Sequence, residues 1–212
     1  MKRLKNTTKI CKICLKPIRN IGIFEILEPD FCVCKTCKKE KLKPVFKPFI
    51  IENVKGLSIY DYDDNLKELI YQLKGCYDIE LAPIFLERYH SILHLIYHNY
   101  FMVTIPSYKA DDEKREFNHV VEIFRSLNIK TLDILEKVEH HKQSDANQND
   151  RGNIKHYLRL KKSIDLKGKN ILIVDDICTT GSTLKSTINL IKSLEPKKIK
   201  VLVIAKSKYI NF

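Results

Sequence analysis

The chain has 212 residues, of which 44% are hydrophobic and 30% are charged, a balance typical of a globular protein with an ample core. No stretch of about 18 uncharged apolar residues occurs, which argues against a transmembrane helix, and the basic N-terminus lacks the apolar segment of a secretory signal. We therefore expect a cytoplasmic protein, whose reducing surroundings argue against a disulfide framework for the seven cysteines.

The net charge of +12 is concentrated at the N-terminal end. Residues 1–47 contain 13 lysines and arginines against four acidic residues, whereas residues 48–212 are nearly neutral, with 25 against 22. We therefore expect two domains, a basic module with a linker over 1–47 and a second domain over 48–212. Concentrated positive charge favours phosphate-rich partners such as nucleic acids, and a solvated lysine-rich surface is the alternative interpretation.

The basic module contains two CxxC pairs, Cys11/Cys14 and Cys34/Cys37, separated by 19 residues. Two such pairs at this separation are typical of a structural zinc site with four thiolate ligands. Cys32 is a fifth thiol that could replace Cys34, but the CxxC spacing favours Cys34 because both sulfurs of such a pair reach one metal from a tight turn. A redox pair is the alternative, although a CxxC of that type is expected singly at a strand–helix junction.

After the module, Pro44 and Pro48 bracket a short Lys/Phe stretch that indicates a stiff linker, and Gly56 predicts a turn before a strand at 57–62. Hydrophobic periodicity and turn residues then predict further elements. In chain order they are a helix over 63–75, a helix over 79–99, a buried strand at 101–106, a polar loop at 107–115, a helix over 117–127, a strand near 131–135 and a surface loop over 139–153.

The last third of the chain carries the clearest pattern. Residues 170–176 (NILIVDD) predict a buried strand, 181–195 an amphipathic helix, and 198–205 (KIKVLVIA) a second buried strand. A strand, a tight turn, a helix and a strand form a βαβ unit, whose two strands are expected to be parallel. The sequence therefore predicts an α/β domain.

A ligand site is expected at the carboxyl end of the first of these strands. Asp175 and Asp176 emerge there, where open α/β sheets bind ligands, and adjacent carboxylates can accept hydrogen bonds from the vicinal hydroxyls of a ribose. The hydroxyl-rich turn that follows leads into a helix N-terminus, whose N–H groups and dipole suit a phosphate group. The turn residues are Thr179, Thr180, Gly181, Ser182 and Thr183. Simple Ser/Thr capping is the alternative, but it needs only one of these hydroxyls.

This segment, with four apolar residues, two acids, two apolar residues and then TTGST, resembles the PRPP-binding motif of type I phosphoribosyltransferases. The resemblance implies their fold, a mostly parallel central sheet flanked by helices, here with a small four-cysteine zinc module at the N-terminus. It also implies that Asp175 and Asp176 hold the ribose hydroxyls of PRPP and that Thr179–Thr183 hold its 5′-phosphate. Mg²⁺ would bridge the ribose hydroxyls and the pyrophosphate, mostly through substrate and water.

A cysteine module followed by such a domain resembles the ComF family of competence proteins, which includes GntX-like relatives, over nearly the whole chain. The segment from Tyr60 to Lys74, with Lys74 at its end, and Pro106 after the first core strand are similar to that family. Gln143 and Arg151 resemble the glutamine and arginine of a later family loop. The resemblance implies binding roles for Lys74, Gln143 and Arg151.

The segment from Arg115 to His119 matches the family's arginine–glycine–phenylalanine–asparagine–glutamine at Arg115, Phe117 and Asn118. Glu116 stands where the family has a glycine, and His119 stands where it has a glutamine. Lys109, Lys114 and Arg115 occupy the region in which basic side chains stabilise a leaving pyrophosphate.

The family resemblance implies a protein that handles incoming single-stranded DNA in the cytoplasm beside a competence helicase, and that binds PRPP or a nucleotide. Two alternatives remain open. One is an active phosphoribosyltransferase, a pentosyltransferase acting on a small base or amine, and the other is a PRPP-sensing regulator without catalysis. No nucleophile or general base stands out in the sequence, so the catalytic residues are unknown at this stage.

Overall fold

The computed structural model describes residues 9–18, 31–138, 157–161 and 164–207. Its strands are β1 (Pro44–Ile51), β2 (Val54–Asp61), β3 (Phe101–Thr104), β4 (Leu135–Val138), β5 (Tyr157–Leu160), β6 (Asn170–Cys178) and β7 (Lys198–Lys206). Five of them form one sheet in the order β1-β2-β7-β6-β3. Strand β1 is antiparallel to β2, and the other neighbours are parallel. Strands β4 and β5 form a small antiparallel sheet.

The helices of the described residues are α1 (Lys35–Lys41), α2 (Asp64–Gly75), α3 (His90–Tyr97), α4 (Lys109–Arg115), α5 (His119–Phe124) and α6 (Ser182–Lys192). Two 3₁₀ segments, Ile79–Phe85 and Arg125–Leu127, lie between them. None of the helices in these parts of the chain has the length and apolar character needed to span a membrane.

Both faces of the five-stranded sheet are covered, which explains the near-continuous apolar runs of its central strands. Along β6, Leu172 and Val174 contact one hydrophobic core, while Ile171 and Ile173 contact the other. The first core contains α2, α5 and the cysteine module, and the second contains α6. The alternation of side chains therefore places the two cores on opposite faces of one sheet.

The predicted fold is confirmed. The β6–α6–β7 unit has parallel strands, the central sheet is mostly parallel and flanked by helices, and four cysteines cluster near the N-terminus. Helix α2 begins as predicted, because the Asp63 side chain caps it by accepting a hydrogen bond of 2.9 Å from the backbone N–H of Leu66. Its four apolar residues at helical spacing are all buried.

The stiff linker predicted between Pro44 and Pro48 was wrong, because these residues belong to β1. An edge strand tolerates proline because one row of its backbone groups needs no partner strand. Gly56 lies within β2 rather than in a turn, opposite Phe49. A Cβ at Gly56 would come within 2.4 Å of the Phe49 ring, so this glycine gives space to an aromatic side chain.

Three other elements differ from the predictions. The helix predicted over 79–99 is divided into the 3₁₀ segment that contains Pro83 and helix α3, because proline lacks the N–H that an α-helix interior needs. The polar loop predicted at 107–115 contains α4. The strand predicted near 131–135 begins only at Leu135, after an isolated bridge between Thr131 and Met102.

The cysteine module packs directly on the first core. Cys11, Phe31, Val33 and Cys37 are buried in the same cluster as residues of α2 and α5. The domain boundary expected after residue 47 falls within β1. The division into two domains stays a prediction.

Candidate ligand and metal sites

The hydroxyl-rich turn joins β6 to α6. Gly181 takes a left-handed conformation with φ of 75°, which glycine adopts without a Cβ clash, and this conformation turns the chain into the helix. Thr179, Thr180, Ser182 and Thr183 are exposed around the first turn of α6. The N-cap residue Gly181 has no side chain, and the backbone N–H of Ser182 donates to Thr180 Oγ1 at 3.3 Å. The first turn of α6 therefore combines backbone N–H groups with exposed hydroxyls.

The two acidic residues before this turn differ in their surroundings. Asp176 is buried, and its Oδ2 accepts hydrogen bonds from Lys74 Nζ at 2.8 Å and from His119 Nε2 at 3.1 Å. Its Oδ1 accepts a bond of 2.7 Å from the backbone N–H of Ile177. Asp175 is half-buried, and its Oδ1 accepts a bond of 2.9 Å from the backbone N–H of Asp176. Asp176 therefore already has protein partners on both oxygens.

These surroundings shift the pKa values of the two acids in opposite directions. Burial acts to raise the pKa of Asp176, but the hydrogen bond from His119 and the charge of Lys74 outweigh it and hold that pKa below its usual range. Desolvation, followed by the negative charge of Asp176, raises the pKa of Asp175 well above its usual range. The end of β6 therefore offers one carboxylate that is held ionised and one that favours the protonated form.

The two side chains that donate to Asp176 come from distant parts of the chain. Lys74, a predicted site residue, lies in the last turn of α2, and His119 is the first residue of α5. Asn118 caps α5 by accepting a hydrogen bond of 3.0 Å from the backbone N–H of Val121, and this turn directs His119 into the interior. His119 is only 3% exposed. Sequence reasoning did not assign a site role to His119, although its replacement of a family glutamine was the signal that could have identified it.

The pyrophosphate-loop candidates lie on α4. Lys109 and Lys114 are exposed, and Lys109 is 3.5 Å from Glu113. Arg115 is buried and its Nη2 donates to Asp112 Oδ1 at 2.6 Å, while its Nε has no hydrogen-bond partner among the described residues. Lys109 and Lys114 are thus exposed to solvent, whereas Arg115 forms an ion pair within its own helix.

Gln143 and Arg151, the candidates from the later loop, lie outside the described residues.

The four predicted metal ligands are brought together. The sulfur atoms of Cys11, Cys14, Cys34 and Cys37 all lie within 4.8 Å of one another. The backbone N–H of Cys34 points at the sulfur of Cys11 at 3.4 Å. Burial acts to raise the pKa of Cys11, but the backbone N–H groups around it lower that pKa to about 7. Four cysteine sulfurs brought this close together fit a thiophilic metal ion.

Cys32, the alternative ligand, is not part of this cluster. Its Sγ donates to Glu87 Oε2 at 3.1 Å, and Lys38 Nζ lies 2.7 Å from Glu87 Oε1. Burial, together with the Glu87 carboxylate, raises the pKa of the Cys32 thiol to about 12. The Cys32 sulfur is therefore engaged by Glu87, and Cys34, not Cys32, lies with the other three cysteines of the cluster.

Comparison with known proteins identifies a matching family and similar proteins. Residues 117–208 match the family described as a phosphoribosyl transferase domain. The chain is 26% identical over 182 residues to the competence protein ComFC of Bacillus subtilis, covering 85% of this chain and 70% of that protein. It is also 26% identical over 172 residues to ComFC of Streptococcus pneumoniae, covering 79% and 77%.

A hypoxanthine phosphoribosyltransferase of Staphylococcus aureus is a similar solved structure, with a TM-score of 0.40 and 16% identity, over 60% of this chain and 64% of that chain. The competence-protein matches extend over most of the chain, and the phosphoribosyl transferase match includes β6 and the turn after it. The chain is therefore a homologue of the competence protein ComFC that contains a phosphoribosyl transferase domain and a cluster of four cysteines near its N-terminus.

Proposed function

We propose that this chain is a ComF-type competence protein that handles incoming single-stranded DNA during natural transformation. The observation that carries the proposal is the similarity of about four fifths of the chain to two competence proteins. The proposal places the protein in the cytoplasm, where imported single strands arrive, beside a competence helicase.

The phosphoribosyl transferase domain binds PRPP or a nucleotide at the end of β6 in this proposal. Asp175 and Asp176 hold the ribose. Asp175 faces the hydroxyls, and Asp176 is held in place beside it by its ion pair with Lys74. The turn Thr179–Thr183 holds the 5′-phosphate, because its exposed hydroxyls belong to the same turn as the N-terminal N–H groups of α6. The carboxylates and hydroxyls present fit a Mg²⁺ ion bridged through substrate and water.

The pyrophosphate is held by basic side chains near α4 in this proposal. Lys109 and Lys114 are exposed and can reach an anion without breaking a buried contact. Arg115 either releases Asp112 to contact the pyrophosphate, or keeps this hydrogen bond and stabilises the conformation of α4. Gln143 and Arg151 complete the candidate set, as the family resemblance implies.

The four-cysteine cluster holds a structural Zn²⁺ ion in this proposal. Four thiolates with one Zn²⁺ carry a charge of −2, so the module remains strongly basic after metal binding. The metal stabilises the short segments around Cys11 and Cys37, because it joins them to each other where they pack on the first core.

The DNA surface proposed here lies on α1 and β1. Several lysines of this region are paired: Lys38 with Glu87, Lys41 with Glu68 and Lys47 with Asp61. Lysines already paired contribute less to phosphate binding than exposed ones. The exposed set that we assign to DNA phosphates is Lys35, Lys39 and Lys43.

Phe46 is the aromatic residue of this surface that can stack on a base. Its ring is 37% exposed and packs edge-on against Tyr89 with centroids 4.8 Å apart. Phe46 also has φ of 46°, at a bulge in the edge strand β1. Phe49, by contrast, packs over Gly56 and is unavailable. An exposed ring beside lysines is the usual arrangement for sequence-independent binding of single strands.

Binding of fluorescent oligothymidine to the full chain tests the DNA assignment, with anisotropy measured over a range of salt. The triple variant Lys35→Glu, Lys39→Glu and Lys43→Glu is expected to lose most of its affinity, and the salt slope is expected to fall by about 2. Deleting residues 1–47 is a poor test, because the cut lies inside β1 and would expose the first core.

The matched control is Lys167→Glu, Lys197→Glu and Lys198→Glu, which makes the same charge change near the start of β7. The control is expected to keep the salt slope of the wild type. Equal losses in the two triple variants would mean that net charge alone drives binding, and this would contradict the assigned surface.

An active phosphoribosyltransferase is the second candidate, and the pairing of His119 with Asp176 is the observation that favours it, because it places a titratable group beside the proposed sugar site. Release of pyrophosphate from PRPP in the presence of Mg²⁺, with a panel of bases and amines, tests this candidate. Binding of PRPP without release favours the PRPP-sensing regulator instead.

A further inference from the structure

Four polar side chains form a continuous chain beside the proposed ligand site. Ser107 Oγ lies 3.5 Å from His119 Nδ1, His119 Nε2 lies 3.1 Å from Asp176 Oδ2, and that oxygen also accepts from Lys74 Nζ at 2.8 Å. His119 and Asp176 are 3% and 5% exposed, so water has little access to the two central members.

The partners of Asp176 fix the proton positions on His119. Asp176 is held ionised, and an ionised carboxylate can only accept hydrogen bonds, so Nε2 of His119 carries a proton. In the neutral form of the imidazole the lone pair is then on Nδ1, the nitrogen that lies beside the Ser107 hydroxyl. A carboxylate that orients a histidine, with the other nitrogen facing a hydroxyl, is an arrangement of groups that accepts a proton.

The outer end of this chain lies at the same edge of the sheet as the acidic pair. Strand β3 is the parallel neighbour of β6, with Thr104 opposite Val174, and Ser107 follows β3 by three residues. Ser107 is half-buried and precedes α4, which carries the pyrophosphate candidates. The Ser107 hydroxyl is therefore more exposed than the two buried central members, and it lies at the sheet edge that carries the proposed PRPP site.

We propose that Ser107, His119 and Asp176 form a proton relay that accepts the proton of an attacking hydroxyl or amine. This inference rests on the proposed binding of PRPP at the end of β6. The nucleophile forms a bond to C1′ of PRPP, and the C1′–O bond to pyrophosphate breaks with its electron pair leaving on pyrophosphate.

The proton of the nucleophile passes to the Ser107 oxygen, and the Ser107 proton passes to His119 Nδ1. Asp176 stabilises the imidazolium that results, and Lys74 keeps Asp176 in its ionised form. A purely structural role for His119 would need only the bond from Nε2 to Asp176. A glutamine side chain can supply that bond, whereas it cannot take up a proton.

His119→Gln and Ser107→Ala test the relay in the full chain. The probe is PRPP with Mg²⁺, with water as the hydroxyl nucleophile and pyrophosphate release as the readout. The wild type is expected to release pyrophosphate, and His119→Gln is expected to lose about 100-fold or more of that rate. Both variants are expected to keep the rise in melting temperature that PRPP gives the wild type.

The control pair is His90→Gln and Ser91→Ala, because Ser91 Oγ contacts His90 Nε2 at 3.1 Å on the surface. These variants are expected to release pyrophosphate at the wild-type rate. Equal rates for His119→Gln and the wild type, or PRPP binding by the wild type without release, would overturn the relay alone. A wild type whose melting temperature does not respond to PRPP would overturn the ligand assignment and the relay together.

A second readout does not depend on turnover. In ¹⁵N-histidine-labelled protein at neutral pH, the His119 signals, assigned by their absence in His119→Gln, are expected to show a protonated Nε2 and an unprotonated Nδ1. A proton on Nδ1, in either the other tautomer or the imidazolium, would leave no lone pair toward Ser107 and would refute the relay.

Discussion

The Cys32 thiol donates a hydrogen bond of 3.1 Å to the Glu87 carboxylate, which joins the cysteine module to the segment between the first 3₁₀ helix and α3. Lys38 completes the contact with an ion pair of 2.7 Å to the same carboxylate. The Glu87 side chain is only 6% exposed. The fifth thiol of the N-terminal region therefore connects two parts of the structure, while the other four form the four-cysteine cluster.

Glu87→Ala is expected to lower the free energy of unfolding by about 3 kcal/mol, because it leaves the Lys38 ammonium and the Cys32 thiol without their buried partner. Urea denaturation measures the change. Glu68→Ala is the control, since Glu68 forms a solvent-exposed pair with Lys41 and its loss is expected to cost less than about 1 kcal/mol. Similar losses in both variants would contradict a special role for the buried contact.

Metal content separates the four clustered cysteines from Cys32. Cys11→Ser and Cys37→Ser are expected to lose about one equivalent of zinc, because each removes a thiolate from the cluster. Cys32→Ser is expected to retain the metal. Elemental analysis of purified protein checks both results, and loss of zinc from Cys32→Ser alone would reverse the ligand assignment.

The two acids at the end of β6 are expected to affect stability in opposite directions. The folded pKa of Asp176 is lowered, so its ionised form stabilises the fold above the unfolded value of about 3.9, and this contribution is lost as the pH falls through the folded value. Asp176→Asn is therefore expected to cost about 2–3 kcal/mol at neutral pH, because Lys74 and His119 lose their buried partner.

The folded pKa of Asp175 is raised, so its ionised form destabilises the fold at neutral pH, and that penalty disappears as the pH falls below about 3.9. Asp175→Asn is expected to raise the melting temperature at pH 7 and to leave it unchanged in acid. Melting curves over a range of pH measure Asp175→Asn and Asp176→Asn. If both variants change the melting temperature at pH 7 in the same direction, the opposite pKa shifts of the two acids are refuted.

Glu116 ends α4 in a left-handed conformation, with φ of 64°. A glycine adopts this conformation without the Cβ clash, so Glu116→Gly is expected to stabilise the fold by about 1 kcal/mol. Glu113→Gly, inside the same helix, is expected to destabilise it by about 1 kcal/mol. Denaturation midpoints check the pair, and a loss of stability in Glu116→Gly would contradict this backbone geometry.

Patterns that are local in sequence predicted much of this structure. Apolar runs around β6 and β7, the Asp63 cap and the CxxC spacing each depend on residues that are neighbours in the chain, so physical rules at short range suffice. The prolines of β1 gave a misleading signal because an edge strand accepts them. The segment that contains α4 was misread as loop because its residues are polar on every side.

The contacts around Asp176 could not be predicted in this way. Lys74 is 102 residues away in sequence and His119 is 57 residues away, and only the packing of α2 and α5 on one face of the sheet brings them to the same oxygen. The sequence identified the acidic pair, but it could not show that one acid is buried between a lysine and a histidine.

Isothermal titration of PRPP in the presence of Mg²⁺ tests the central claim that the end of β6 and the turn Thr179–Thr183 form a sugar-phosphate site. The wild type is expected to bind, and Asp175→Asn and Thr183→Val are each expected to weaken binding by at least about tenfold, since each removes a group that contacts the ribose or the phosphate. Asp64→Asn, an exposed change at the start of α2, is the control and is expected to bind as the wild type does. Binding that is unchanged in Asp175→Asn and Thr183→Val, or absent in the wild type, would contradict the account.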